Sequence, residues 1–290
     1  MTIVRYIICS TLLLLCPLSC WAERYATVRT AAPVMTRPDF TAIFGGRDHA
    51  SLKTDRCGQV RELEFIALPG TVFRILGELK EETATVYRAS TAEYSTPPGR
   101  ALYLESRFVE LLDHRPPERQ RTLPPREAIL SSLKAALGSP YVWGGNLQEG
   151  IPEMMSWFYR SSNISDKRLS LAGLDCSGLL YQATRGWTPR NTAQLVSFGA
   201  AVAIGGKTAE TIAAQLEPLD LVVWNGHVLI VLDRENIIES RLICGGKGNG
   251  GVVITPLGER LREIMRTRRP VDRWPVEGKQ YVFVVRRWYP

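Results

Sequence analysis

The sequence predicts an α+β fold in two parts: a small all-β unit, then a unit that packs helices on an antiparallel sheet. Three observations carry this. Between Tyr25 and about Asp113, short alternating apolar runs are split by Gly45-Gly46, Pro69-Gly70 and Pro97-Pro98-Gly99. The second half holds short Val/Ile-rich runs bounded by Gly, Asp or Pro. Between them, Leu179, Leu180, Ala183 and Trp187 recur at helical spacing directly after Cys176. A helix of that kind packed on such a sheet is an α+β domain. The 290 residues suit one large domain or two modest ones, and 45% hydrophobic with 22% charged residues is ordinary for a chain that buries a sizeable core.

In chain order, Arg5 precedes an almost uncharged apolar run through Leu15, then Pro17 and Cys20-Trp21-Ala22. Residues 1–22 are therefore expected to be a secretory signal peptide cleaved after Ala22. The competing reading makes Cys20 a lipid acceptor, although Pro17-Leu18-Ser19 is a poor approach to such a site. No other segment nears the roughly 18 apolar residues of a membrane span, so none is expected in the mature chain. Export would place the protein in the periplasm, in the cell envelope or outside the cell.

Residues 23–113 should form the β unit, with strands at Ala26–Thr30, Leu63–Leu68, Thr71–Leu76, Thr85–Ala89, Ala101–Leu104 and Phe108–Leu111. Residues 114–125 read as a polar, Pro-rich linker. The second unit, 126–290, opens with a helix over Glu127–Leu137, stopped by Gly138 and Pro140. Its strands are expected at Leu221–Trp224, His227–Leu232, Asn236–Ser240, Val252–Thr255 and Tyr281–Arg286.

Losing the signal takes the formal charge from +7 to +6 through Arg5. That mild excess suits an anionic surface such as a cell wall or membrane. Arg260, Arg262, Arg266, Arg268 and Arg269 cluster at helical spacing. Nucleic acid is a poor partner for an exported chain, so a solvated helix face is the better reading. Cys57, Cys176 and Cys244 remain after cleavage. Cys57 and Cys244 lie in different units and are expected to be free. No C-x-x-C or His-x-x-x-His spacing supports a metal, and no cofactor is implied.

If Cys176 opens a helix, the exposed amides and macrodipole there favour a thiolate. Of the three histidines, His49 lies in the first unit and His114 in the linker, whereas His227 opens an apolar run after Trp224-Asn225-Gly226. A cysteine starting a helix and a histidine starting a later strand is the papain-like arrangement. Cys176 would attack a carbonyl, its amide would help hold the oxyanion, and His227 would move the proton. The bland alternatives are a buried small thiol and a structural imidazole.

Tyr141-Val142-Trp143-Gly144-Gly145-Asn146, Asp175-Cys176-Ser177-Gly178, Pro189-Arg190-Asn191-Thr192-Ala193-Gln194 and His227-Val228 follow one another in that order. This series resembles the NlpC/P60 cysteine peptidases over roughly residues 125–290, and residues 23–113 resemble the bacterial SH3-like modules that often precede them. The resemblance implies hydrolysis of peptidoglycan stem peptides or muropeptides at the γ-D-glutamyl–diamino acid bond, by a monomer. It places Tyr141 beside the oxyanion pocket. It makes Asp175, Ser177, Arg190, Asn191, Thr192 and Tyr94 the substrate-binding set. The third catalytic place, usually His, Asn or Gln in the family, falls on Glu239.

Two further departures stand out. Asn191 sits where the family more often has an acidic residue, which weakens the case for binding a free amine. Residues 147–173 form an insert rich in aromatics (Trp157, Phe158 and Tyr159), either a lid over the cleft or a loop that packs locally. Two other function classes remain beside the peptidase. One is an amidase or acyltransferase on another envelope substrate, and the other is a catalytically idle wall-binding protein.

Overall fold

The computed structural model describes residues 23–81, 83–160, 166–246, 249–275 and 281–290. The expected signal peptide and the part of the insert at 161–165 lie outside them. Among the described residues, no helix is long and apolar enough to cross a membrane.

The first unit is one antiparallel sheet of seven strands: β1 Arg24–Val28, β2 Ala32–Met35, β3 Leu63–Ala67, β4 Val72–Lys80, β5 Thr85–Ser90, β6 Leu102–Glu105 and β7 Val109–Leu112. Their order is β3-β2-β6-β5-β4-β1-β7. β2 has no counterpart among the expected strands. Its sequence Ala-Pro-Val-Met is buried throughout, so it carries none of the alternation that marks a half-buried strand. Phe40, Phe44, Phe65, Phe73 and Phe108 fill the core of this unit.

The second unit begins with α1, Arg126–Ala135, which buries Ile129 and Leu133. The insert carries α2, Glu153–Phe158, and α3 is Cys176–Ala183. Two further helices are α4, Ala209–Gln215, and α5, Leu257–Met265. The sheet holds β8 Ala200–Val202, β9 Leu221–Trp224, β10 His227–Val231, β11 Asn236–Leu242, β12 Gly250–Pro256 and β13 Val282–Arg287. They lie in the order β8-β13-β9-β10-β11-β12, and Arg269–Pro270 adds a short parallel pairing to β13. Both faces are covered. Val223, Val228, Ile230, Ile238 and Val284 pack with α1 and α3, whereas Val222, Leu229, Val231, Ile237 and Phe283 pack with α4 and α5. That two-sided burial is why these strands read as continuous apolar runs.

Two expectations change at the junction of the units, and the linker between them gains contacts. The described part of the insert is neither a lid nor a self-contained loop: Met154, Phe158, Tyr159, Leu169 and Leu171 join the core of the first unit. Phe158 packs 5.4 Å from the Phe44 ring, and Trp157 meets Phe108 edge-on at 4.7 Å. The linker is pinned, because Arg119 pairs with Glu93 at 2.7 Å and donates to the Arg185 carbonyl at 3.2 Å. Lastly, Cys57 and Cys244 are not free but form a disulfide across 187 residues.

Sequence separation is no guide to that pairing, because the two loops meet where the units dock. Gln59, beside Cys57, accepts from the Trp143 amide and donates to the Tyr141 carbonyl. Tyr141 in turn donates its own amide to Gly250, at the end of the loop that carries Cys244. Residues 23–290 should therefore show one titratable thiol when denatured without reductant and three after reduction. Reduction should lower the thermal midpoint, with a loss on the order of 2–5 kcal/mol. Three thiols in the unreduced chain would refute the pairing.

Candidate active site

Cys176 is the first residue of α3, and Asp175 caps the helix by accepting the Gly178 amide at 2.6 Å. Capping by a carboxylate satisfies one of the amides a helix start leaves unpaired. Gly178 is required by its surroundings: a Cβ there would collide with the Gly145 carbonyl. The Gly144-Gly145 turn can thus lie directly against the first turn of α3. Gly144, at φ 71°, in turn lies against Leu63 of β3. The two glycines let three backbone segments approach where side chains would hold them apart.

Arg190 locks this arrangement. Its side chain is 3% exposed, and each of its five N–H groups is used. Nε donates to Asn146 Oδ1 at 2.9 Å, Nη1 to Asp175 Oδ1 at 3.0 Å and Ser177 Oγ at 2.9 Å, and Nη2 to Asp175 Oδ2 at 2.8 Å and the Gly145 carbonyl at 3.2 Å. The Asn146 carboxamide then bonds both the amide and the carbonyl of Ile66 in β3, each at 3.0 Å. Asp175, Ser177 and Arg190 are therefore brought together as expected, but their polar atoms are spent on one another. The structure gives them a scaffolding place, and Arg190 keeps no donor for a ligand.

The other residues assigned to substrate also have internal partners. Asn191 caps the short helix Thr192–Leu195 through the Gln194 amide at 3.0 Å, and its Nδ2 reaches the Ser95 carbonyl at 3.4 Å. Thr192 Oγ1 accepts the Gly226 amide at 2.9 Å and so anchors the loop before His227. Tyr94 stacks on Phe65 with ring centroids 4.4 Å apart, and its hydroxyl donates to Glu64. Burial and the Glu64 hydrogen bond raise its pKa well above the usual tyrosine range. Tyr141 is buried beside Asp175 and Cys176; burial first, then those two charges, hold its hydroxyl protonated and able to donate.

The imidazole comes from the sheet. His227 starts β10 beside Trp224, with ring centroids 5.2 Å apart. Its Nε2 meets Glu239 Oε2 at 2.6 Å, and Cys176 lies beside the ring, close enough to favour its protonated form. Cys176 is the free cysteine of the described residues, and its Sγ also lies 4.0 Å from the Gly226 carbonyl. Glu239 lies on the same face of β11 as Ile237, the face that α5 covers.

Glu239 is wholly buried, and its partner there is Arg260: Nε to Oε1 at 2.7 Å and Nη2 to Oε2 at 3.0 Å. This corrects the reading of the arginine cluster as a solvated face. Arg262, Arg266 and Arg269 are exposed, but Arg260 is 11% exposed and points inward. The signal was present: Leu257, Arg260, Leu261 and Ile264 share one helical stripe. Asn146 and Gln59 were also missed, because a single polar side chain that bridges distant segments has no periodicity to betray it.

The pKa values follow from these contacts. Burial opposes the charge on His227, yet the nearby Cys176 and the bond to Glu239 outweigh it and raise its pKa from 6.5 to about 9. Burial likewise opposes the Glu239 carboxylate, and the bonds from His227 and Arg260 lower its pKa from 4.5 to about 2. Cys176, His227 and Glu239 thus bring together a thiol, an imidazole and a carboxylate, a set with which acyl transfer can be carried out. Among the described residues, no group of three or more His, Cys, Asp or Glu could hold a metal.

No family model matches the chain, and no curated protein matches it significantly. Among solved structures, the chain is similar to an NlpC/P60 family protein from Bacillus cereus at 19% identity, with a TM-score of 0.34. The alignment covers 93% of this chain and spans 64% of that one. A score of that size does not by itself assign the chain to a family.

Arg190→Lys should destabilise the fold by about 3–5 kcal/mol, because a single ammonium cannot replace the fork and leaves Asp175 buried and under-paired. A chemical-denaturation midpoint equal to wild type would count against the network. The pH dependence has a defined sign. The Glu239 contribution is full above pH 4.5 and is lost as pH falls through about 2. The His227 contribution is full below pH 6.5 and is lost as pH rises through about 9. The gap in thermal midpoint between wild type and Glu239→Gln should be widest between pH 4.5 and 6.5 and narrow toward either end. A gap that is flat with pH would show that the pair is not ionised as described.

Proposed function

We propose that the chain is an exported cysteine endopeptidase of peptidoglycan stem peptides, acting at the γ-D-glutamyl–diamino acid bond. The observation that carries this reading is Cys176 at a helix start beside His227 at a strand start, with the His227 Nε2 bonded to Glu239. The four ordered motifs of the sequence point to the same chemistry.

The Cys176 thiolate attacks the scissile carbonyl, and its sulfur forms a bond to that carbon. The oxyanion forms near the Cys176 amide, which as the first residue of the helix has no intrahelical acceptor, and near the Tyr141 hydroxyl. His227 passes its proton to the leaving amine. Water then attacks the thioester, with His227 accepting a proton, and free thiolate and product acid are restored. Glu239 keeps the imidazole oriented throughout both steps. An acyltransferase would share the first half of this cycle and differ in the acceptor alone.

The Cys57–Cys244 disulfide supports an oxidising compartment, as export would supply. The bonding of Arg190 and Asn191 supports a difference in recognition. With the guanidinium saturated and Asn191 uncharged and engaged as a cap, these positions offer no free charge to a stem-peptide amine.

Incubation with defined muropeptides and mass spectrometry should show cleavage after γ-D-glutamate. Cys176→Ala should abolish it while the thermal midpoint stays near wild type, since a helix-start Ala costs little in packing. Stem peptides with free and acetylated N-termini should be cut with similar kcat/KM. Cleavage that survives Cys176→Ala would remove the nucleophile assignment, and a strict need for the free amine would remove the recognition argument.

A further inference from the structure

The polar contacts of α5 point to a role for a residue that the catalytic chain does not include. We propose that Arg260 is a positioning residue that makes Glu239 a net-neutral acceptor for His227, so that the imidazole is oriented without its proton being held too tightly. The inference rests on the cysteine-peptidase reading above and deepens it.

Arg260 occupies the apolar stripe of α5 with Leu257, Leu261 and Ile264, where a cation is out of place unless it has a buried partner. That partner is Glu239, held by two prongs of the guanidinium at 2.7 and 3.0 Å. The third guanidinium nitrogen, Nη1, meets Glu263 at 2.7 Å on the outer side. Oε2 of Glu239 therefore receives Arg260 and His227 together. A buried carboxylate facing imidazolium alone would attract its proton strongly and stabilise the charged ring. General-acid delivery to the leaving amine needs that proton to be given up. A carboxylate already matched by a guanidinium presents an acceptor oxygen with little net charge, as a side-chain amide would.

Other charged groups face the pair and do not replace Arg260. Arg241, on β11 with Glu239, brings Nη1 to 3.8 Å from Oε1, beyond hydrogen-bond length, and its side chain is 32% exposed. Arg268 stacks over Trp224 with its guanidinium 4.6 Å from the ring centroid, and so reaches His227 through an intervening indole. Cys176 lies beside the imidazole from α3, and Glu263 meets the outer side of Arg260. Arg260 is the cation with fork geometry on the carboxylate.

The test measures the rate of iodoacetamide alkylation of Cys176 against pH, with no reductant, on residues 23–290, whose other two cysteines are disulfide-bonded. No substrate is needed. The upper inflection of the profile reports loss of the imidazolium proton. Arg260→Met should move it to higher pH by about one unit, a tenfold change in proton affinity. Arg260→Lys, which keeps the charge, should move it less. Glu239→Gln should move it to lower pH, because Arg260 then faces the ring unmatched. The double variant Glu239→Gln/Arg260→Met should return it near wild type and should melt above Arg260→Met, since no buried charge is left alone.

An unchanged inflection in Arg260→Met overturns the proposal. So does a double variant whose inflection stays at the Glu239→Gln position, or one that melts below Arg260→Met. If Arg260→Met does not fold, the double variant alone decides. Muropeptide cleavage separates the two claims. Shifted inflections with no cleavage of any muropeptide leave Arg260 in place and remove the peptidase reading. Cleavage with unshifted inflections does the reverse.

Discussion

The Arg190 guanidinium is the interaction on which the rest of the site depends. A buried cation is costly unless every donor is used, and here all five are. Its acceptors come from the Gly144-Gly145 turn, from Asn146, and from the cap and first turn of the cysteine helix. Asn146 carries the same network into the edge strand of the first unit through Ile66. The position of Cys176 is therefore set jointly by the turn, the helix and the neighbouring sheet. A network of this kind adds little net stability over an apolar core of the same volume. Its effect is geometric: few other arrangements of these segments would leave no buried donor without an acceptor.

The second half of the site is built by the same logic from the other side. The sheet presents His227 at the start of one strand and Glu239 on the next, and α5 supplies Arg260 from the layer beyond. Thr192 links the two halves by accepting the Gly226 amide. Cys176 thus stands between two buried arginine–carboxylate pairs, Arg190–Asp175 and Arg260–Glu239. One anchors the helix that carries it, and the other holds the carboxylate bonded to His227. The units themselves are held by the Cys57–Cys244 bridge, by Gln59 on the Tyr141–Trp143 backbone, and by the aromatic insert seated in the first core.

What the sequence by itself determined is local. Val/Ile-rich runs bounded by turn residues marked five of the strands in the second sheet, because covered strands carry apolar side chains in succession. Cys176 at a helix start, His227 at a strand start and Glu239 on the following strand were all legible from pattern and motif order. β2 was not, since its run of four residues is short and carries Pro33, which argues against a strand. What only the tertiary structure decided is pairing. The Cys57–Cys244 bond, the inward turn of Arg260, the closure of Arg190 on its own neighbours and the seating of the insert all depend on which distant surfaces meet. Periodicity reports how one segment divides between core and solvent. It carries no record of the partner that satisfies a buried charge, because that partner is chosen by packing between segments rather than along the chain.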